Sequence, residues 1–339
     1  MKAALLHEGG RLEVGDAQSP RHEGWALIDT KSAGICGTEL HIIDGMLPLP
    51  HYPFVIGHEA AGVVVEAPEG SGLSVGQRVA VYNMIGCGEC DWCRYGQDQL
   101  CVDPVGQLGF SLDGTFSDQI AVPARNLIAL PDSVSFDDAA LLSCGGMTAV
   151  HAVRLGGVSL GDTVVVNGVG GVGLMAIQVA YDAGARVIAV ADSAAKAQIA
   201  REAGASDALV LDDEGYSVVA EKVRDLTGGR GATHFIELVG TSESMFAGIK
   251  TLGRRGAFVS IGYTTESLTF HPVDLILSEL RIFSSVAAAR DDLVTAVALA
   301  GAGRLSTVID TRYRLSDVHT GLDRLRARVV SGRNVVTWE

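Results

Sequence analysis

Around residue 168 a β-branched run, a glycine turn and an apolar helical stretch follow one another without a break, and this order constrains the fold more than any other feature of the chain. Thr163-Val164-Val165-Val166 reads as a strand, Gly168-Val169-Gly170-Gly171-Val172-Gly173 as the turn, and 172–183 as the helix. A G-x-G-x-x-G spacing alone is a weak signal. Set between a strand and a helix it gains a physical meaning: glycines let the backbone approach a pyrophosphate, and the helix N-terminus turns free N–H groups towards it. The pattern then repeats, with strands at 186–192, 208–211, 233–238, 256–261 and 281–284 and helical stretches between them, the first over 194–203. Gly184, Gly204 and Gly253 stand where helices should stop. Such alternation requires a parallel sheet with crossover helices, a doubly wound α/β fold.

Asp192 ends the second of these strands. An acid there accepts hydrogen bonds from both ribose hydroxyls of an adenosine. It repels a 2′-phosphate, because two anions a few Å apart cost about 1–4 kcal/mol near a surface, so NAD is expected over NADP. The alternative is that Asp192 merely caps the next helix.

The first part of the chain has another texture. Short strand-like runs at 25–31, 62–66, 78–82 and 118–122 are broken by Gly, Pro and Asn, as in a β-rich domain with long loops. After 287 come a helix (291–302), a strand (307–314), a helix (316–327) and a strand (334–338). Six parallel strands already complete a doubly wound sheet, so this tail is expected to return to the first domain. The expected boundaries are therefore 1–146, 147–287 and 288–339, and 339 residues suit two domains.

With 47% hydrophobic and 19% charged residues the chain is a folded protein. Its formal net charge of −14 opposes nucleic acid and anionic membrane surfaces as partners. The N-terminus meets charge too soon for a signal-peptide core, and the most apolar run, 163–180, is interrupted by glycines and an asparagine. A cytoplasmic location is expected by default.

Six cysteines remain to be placed: Cys36, Cys87, Cys90, Cys93, Cys101 and Cys144. Four fall in the spacing Cys87-x2-Cys90-x2-Cys93-x7-Cys101, which can close a tetrahedron of thiolates around a structural Zn²⁺. Zinc is worth roughly 10–16 kcal/mol in finger peptides, enough to hold a lobe (86–102) with few apolar residues. An iron–sulfur cluster or four unrelated thiols are the alternatives. The two leftover cysteines, Cys36 and Cys144, form with the pair His58-Glu59 a dispersed set. Catalytic zinc takes three protein ligands and leaves one position open, and two Cys with one His is a known set for it.

At these residues the sequence resembles the zinc-containing alcohol dehydrogenases of the medium-chain dehydrogenase/reductase family, through nearly the whole chain. Gly34-Ile35-Cys36-Gly37-Thr38-Glu39-Leu40-His41, Gly57-His58-Glu59-Ala60-Ala61-Gly62 and Cys144-Gly145-Gly146-Met147-Thr148-Ala149 are similar to the segments that give that family's three catalytic zinc ligands. The resemblance implies a Rossmann doubly wound parallel sheet plus a β-rich GroES-like catalytic domain. It implies two Zn²⁺ per chain, one catalytic on Cys36, His58 and Cys144 and one structural on Cys87, Cys90, Cys93 and Cys101. The catalytic metal acts as a Lewis acid on an alcohol or carbonyl oxygen while hydride passes between the substrate carbon and NAD. Thr38 takes the proton and His41 relays it to solvent, and Glu59 sits beside the metal. Gly168, Gly170, Gly171, Val172 and Gly173 line the pyrophosphate, Asp192 and Lys196 lie at the adenosine ribose, and Arg333 resembles an arginine that pairs with the cofactor phosphates. A solvated surface arginine is the alternative for Arg333.

The sequence departs from the family pattern at two places. Pro68 stands where a small residue is usual, which bears on turn geometry only. Cys144 stands where many relatives carry an acid, which favours the alcohol-dehydrogenase side over the polyol side. The short interval from Cys101 to Cys144 resembles the shorter microbial enzymes, so a homo-oligomer is expected, a tetramer rather than a dimer. The substrate, a small alcohol or carbonyl compound, is expected near Leu47, Tyr52 and 83–85, with a secondary alcohol as the default. Asn83, polar where relatives often place an aromatic, points to a larger or hydroxylated one. Two rival functions are a same-fold C=C reductase without catalytic zinc and a non-enzymatic nucleotide-binding redox sensor. The histidines His7, His22, His51, His151, His234, His271 and His319 match no motif and read as surface or structural.

Overall fold

The computed structural model describes residues 1–338; Glu339, the last residue of the expected return segment, lies outside them. The chain divides into two units, Thr148–Ala287 and the remainder, which joins Met1–Met147 to the segment from Ala288 onward.

The discontinuous unit is built on strands. β1 (Lys2–Leu6) forms a three-stranded sheet with β2 (Leu12–Asp16) and β4 (Phe54–Val55). A larger sheet collects β3 (Ala26–Ile35), β5 (Ala61–Glu66), β6 (Arg78–Val81), β9 (Gln119–Val122) and β10 (Leu127–Ala129), while β7 (Met84–Ile85) pairs with β8 (Gly106–Gln107). Helix α1 (Gly37–Ile43) follows β3 directly, α2 (Asp91–Arg94) lies in the cysteine lobe, and α3 (Phe136–Leu141) leads towards α4 (Met147–Gly156). β3 runs four residues past the expected end at Lys31, because its last stretch pairs with the C-terminal strand, Ile35 opposite Asn334.

The continuous unit holds β11 (Thr163–Asn167), α5 (Gly171–Asp182), β12 (Arg186–Ala191), α6 (Ala194–Glu202), β13 (Asp207–Val210), α7 (Val219–Leu226), β14 (Ala232–Glu237), α8 (Ser242–Thr251), β15 (Leu252–Ser260), α9 (Pro272–Ile276) and β16 (Arg281–Ser284). The strands form one parallel sheet in the order β13-β12-β11-β14-β15-β16, so the chain reverses direction across the sheet between β11 and β14. That reversal leaves a crevice beyond the strands' carboxyl ends, where the glycine turn lies. The β-branched strands fill the interior: Val165, Ile188, Val190, Phe235 and Phe258 share one buried cluster.

Gly184 and Gly204 end α5 and α6 with φ of +85° and +109°, as expected. Gly253 does not cap a helix: α8 stops at Thr251 and passes straight into β15. The tail gives α10 (Arg290–Gly301), β17 (Ile309–Tyr313), α11 (Val318–Arg326) and β18 (Arg333–Thr337), and β18 inserts between β3 and β17 in the first unit's sheet. No helix among the described residues is long and apolar enough to cross a membrane.

Candidate active site

Cys36 sits at the junction of β3 and α1, extended at φ −116° and ψ 161°, as the residue that precedes the helix. A helix N-terminus favours a thiolate there. Glu39, three residues on, is fully buried. Its Oε2 accepts the Cys36 N–H at 2.8 Å and its Oε1 meets Nδ1 of His58 at 2.5 Å. Asn83 donates from Nδ2 to the His58 carbonyl at 2.9 Å. Cys144 occupies a π-helical turn, Leu142–Gly146, between α3 and α4. The extra residue in such a turn re-aims a side chain, and these turns recur at functional sites. Ser143 Oγ donates to Ala60 O at 3.1 Å, which ties the turn to the segment after Glu59.

These constraints bring the three segments together. His58 Nε2 lies 3.3 Å from Cys144 Sγ, and the ligand atoms of Cys36, His58, Glu59 and Cys144 all fall within 4.8 Å of one another. Zn–N and Zn–S bonds at a tetrahedral angle put N and S about 3.6 Å apart, close to what is found. The chemistry of the donors also fits a dication. Cys36 and Cys144 share a hydrogen bond that holds the Cys36 thiol well below its ordinary range and pushes Cys144 well above it. Burial pushes the Glu59 carboxyl up to about 7 against the pull of Arg333, and its Oε2 has no hydrogen-bond partner. The approach is close: a Cβ on Gly34 would stand 1.9 Å from Glu59 Oε2, so only glycine fits opposite that carboxylate.

Arg333, expected at the cofactor phosphates, is buried in the first unit with Nη2 on the Ile35 carbonyl at 3.3 Å and on Glu59 Oε1. It is no solvated surface arginine; it supplies a fixed positive charge behind Glu59. Thr38 Oγ1 lies 3.6 Å from Cys36 Sγ, and His41 follows on the same face of α1, half-buried, with Nδ1 3.2 Å from Met46 Sδ. The Phe110 ring meets the His58 ring edge-on, centroids 5.6 Å apart.

The second cluster is the cysteine lobe. Cys87 Sγ to Cys93 Sγ and Cys90 Sγ to Cys101 Sγ are both 3.9 Å, and tetrahedral Zn–S bonds of about 2.3 Å place sulfurs about 3.8 Å apart. Backbone N–H groups of Cys90 and Glu89 point at Cys87 Sγ, at 3.3 and 3.4 Å, and that of Cys87 at Cys101 Sγ, at 3.3 Å. Such donors favour thiolates: the N–H of Cys93 leads in drawing the Cys90 thiol down to about 6.

In the other unit Gly168 has φ +103°, and a Cβ on Gly173 would stand 1.9 Å from the Gly168 carbonyl oxygen, so the turn admits glycine alone at both places. Gly170, Gly171 and Val172 begin α5 without a side-chain cap. By contrast α3, α6 and α8 are capped by Ser135, Ser193 and Thr241. An uncapped N-terminus keeps its N–H groups for an anion. Asp192 does not cap α6, since Ser193 does; its carboxylate lies 2.7 Å from Lys196 Nζ.

Sequence reasoning missed Glu39 as a functional residue. The signal was present: a Glu three residues after a helix-starting residue is half of a capping box, here turned to orient a histidine. Glu39→Gln keeps the shape, but its amide must face either the Cys36 N–H or the His58 ring with the wrong atom. Losing such a partner lowers metal affinity or activity by about 10–100-fold. Chelator competition for the more weakly held zinc measures it, and unchanged affinity would remove Glu39 from this role.

Comparison with known proteins places the whole. Residues 22–132 match the alcohol dehydrogenase GroES-like domain and residues 171–302 the zinc-binding dehydrogenase family. An alcohol dehydrogenase of Geobacillus stearothermophilus is 31% identical over 99% of this chain and 99% of its own. An NAD-dependent alcohol dehydrogenase of Sulfurisphaera tokodaii is 30% identical over 99% of each. The crystal structure of the alcohol dehydrogenase from Aeropyrum pernix superposes with a TM-score of 0.92 at 30% identity, over 100% of both chains. Fold, clusters and relatives define a zinc-binding dehydrogenase with a GroES-like and a Rossmann-type domain. The chain belongs to the zinc-type medium-chain alcohol dehydrogenases. It is an NAD-dependent alcohol oxidoreductase that works by hydride transfer.

Proposed function

We propose that this enzyme interconverts a secondary alcohol and its ketone, with two Zn²⁺ per chain. The observation that carries the reading is the convergence of Cys36, His58 and Cys144 from three distant segments within 4.8 Å, with Glu59 beside them. Zn²⁺ held by the two sulfurs and the imidazole would supply Lewis acidity to the substrate oxygen. The protein's own groups do the rest. Thr38, whose hydroxyl is in hydrogen-bonding range of the Cys36 sulfur, accepts the alcohol proton, and His41, one turn further along α1, passes it to solvent. Glu39 fixes the His58 ring and leaves Nε2 for the metal. Phe110 presents an apolar surface at the His58 ring, which suits a carbon bearing apolar substituents. Cys87, Cys90, Cys93 and Cys101 hold the second, structural ion.

Asn83 supports a second substrate reading, a polyol or sugar-derived alcohol. Its Oδ1 is buried without a partner, while its Nδ2 is committed to His58. An assay across primary, secondary and polyol substrates, with zinc measured on the same sample, tests both readings. Turnover confined to polyols would overturn the first, and one zinc per chain would overturn the two-metal assignment.

Gly168, Gly170, Gly171, Val172 and Gly173 would hold the pyrophosphate, and Asp192 with Lys196 would read the ribose. Because Lys196 compensates Asp192, the repulsion of a 2′-phosphate stands near the low end of the roughly 1–4 kcal/mol range. Asp192→Gly removes that repulsion and frees Lys196, so the NAD/NADP ratio of kcat/KM should fall by about tenfold or more. An unchanged ratio would refute the role. Self-association, taken as a tetramer, is supported by β16: it is an edge strand that carries exposed Ile282 and is flanked by exposed Ile276, Leu277 and Val286, open to pairing with a second copy. A monomer in sedimentation would exclude it.

A further inference from the structure

The chemistry above makes no use of a carboxylate buried at the end of β14. Glu237 is fully buried. Its Oε1 accepts from the N–H of Val239 at 2.7 Å, the N–H of Gly240 at 2.8 Å and the Ser244 hydroxyl at 3.1 Å, and its Oε2 accepts from Asn167 Nδ2 at 2.8 Å. Asn167 ends β11 in register with Glu237 and stands immediately before Gly168. With its Nδ2 engaged, its Oδ1 accepts from the Tyr216 hydroxyl at 3.2 Å. Burial pushes the Tyr216 phenol up to about 12 against the pull of Asn167, and Asp192 is among the charges that act on it. That hydroxyl is therefore a donor at neutral pH.

Burying a carboxylate is unfavourable, and burial does raise the pKa of Glu237 against the pull of its donors. Those donors show what the charge achieves. Two are the backbone of the turn 238–240, and a third is the side chain that opens the glycine turn. The two turns touch: the atoms nearest a Cβ on Gly168 would be Val239 Cγ2 at 3.2 Å and Leu238 Cβ at 3.4 Å, and Leu238 Cδ1 would lie 3.4 Å from one on Gly173. Leu238 N–H also donates to the Asn167 carbonyl at 3.1 Å. One buried anion thus fixes both walls of the crevice where the chain reverses across the sheet.

We propose that Glu237 is a positioning residue for the dinucleotide, holding the glycine turn in its binding shape through Asn167 and the turn 238–240, with Tyr216 as the outer brace. This rests on the reading of Gly168 to Gly173 as the pyrophosphate turn, so the test separates the two. Binding of NAD⁺ and of ADP-ribose is measured by calorimetry, beside the melting temperature without ligand. In Glu237→Gln the new amide faces the Asn167 amide, donor against donor. Losing a hydrogen bond to a charged group in this way should raise both Kd values by about tenfold, with kcat at saturating NAD⁺ little changed. Adding Asn167→Asp reverses the polarity of the pair: the new amide donates to the new carboxylate, Tyr216 keeps its acceptor, and binding should recover. Tyr216→Phe, at a half-buried ring, should fold whatever happens to the others and raise Kd by about threefold. A lowered melting temperature with unchanged Kd, or no recovery in the folded double variant, would overturn the proposal. Gly173→Val with unchanged Kd would overturn the pyrophosphate reading itself; abolished binding there beside normal binding in Glu237→Gln and Tyr216→Phe would overturn the Glu237 proposal alone.

Discussion

Cys144→Ala is expected to lose one of two zinc ions and about three orders of magnitude in kcat/KM, while the protein stays folded. The size follows from what Lewis-acid catalysis contributes: several kcal/mol of transition-state stabilisation, at about 1.4 kcal/mol per factor of ten. The fold survives because Cys144 lies in a turn held from both sides by other groups. Ser143 hydrogen-bonds Ala60 and Ala139, and Leu141, Leu142 and Met147 are buried around it. The truncation removes one sulfur and leaves those anchors in place. Metal analysis, circular dichroism and turnover on the same sample check each part. Full activity with two zinc ions bound would take Cys144 out of the metal shell, and a variant lacking both ions would show that the clusters are not independent.

How much of this was legible in the sequence varies with how local the cause is. The Rossmann strands could be read as short apolar runs that alternate with helical stretches: the run expected at 163–166, β-branched and followed by Gly168, is β11, and the one expected at 281–284 is β16. Long-range pairing was harder. The extension of β3 to Ile35 depends on β18, nearly 300 residues away, and no local pattern encodes it. β1 and β2 went unread because their burial does not alternate cleanly. At the site, sequence spacing separated the four-cysteine lobe from the dispersed set, but not what orients each ligand. Glu39 at His58, Ser143 at Ala60 and the π-helical turn around Cys144 are tertiary facts. The same holds for Arg333, whose charge goes to Glu59 because β18 carries it into the first unit's sheet beside Ile35.

The lobe around the second cluster gives the other large effect, and of another kind. Cys93→Ser should leave one zinc per chain, unfold 86–102 locally and lower the melting temperature by about 5 °C, since at about 2.1 cal/mol/K per residue a few kcal/mol moves a chain of 339 residues by that order. The reason is visible in what the lobe lacks. Its large apolar side chains face outward, Tyr95 at 78% exposure and Val102 at 75%, with Trp92 and Leu100 also exposed, so no core of its own holds it. Its helix α2 has four residues, too few to persist alone. Beyond the sulfurs, its ties include the Arg125 guanidinium on the Gly86 carbonyl at 2.5 Å and the strand pair β7 and β8. On the proposed assignment, metal binding would supply most of the lobe's folding free energy, and a serine hydroxyl would replace a thiolate poorly in that shell. Hydrogen exchange should show the backbone of 86–102 losing protection while β11 to β16 keep theirs. At low temperature the variant should remain active despite the opened lobe, and its activity should fall at the lowered melting temperature, not at the outset. A variant that is inactive at once yet melts like the wild type, with the lobe still protected, would assign the four thiols to the reaction instead of to the fold.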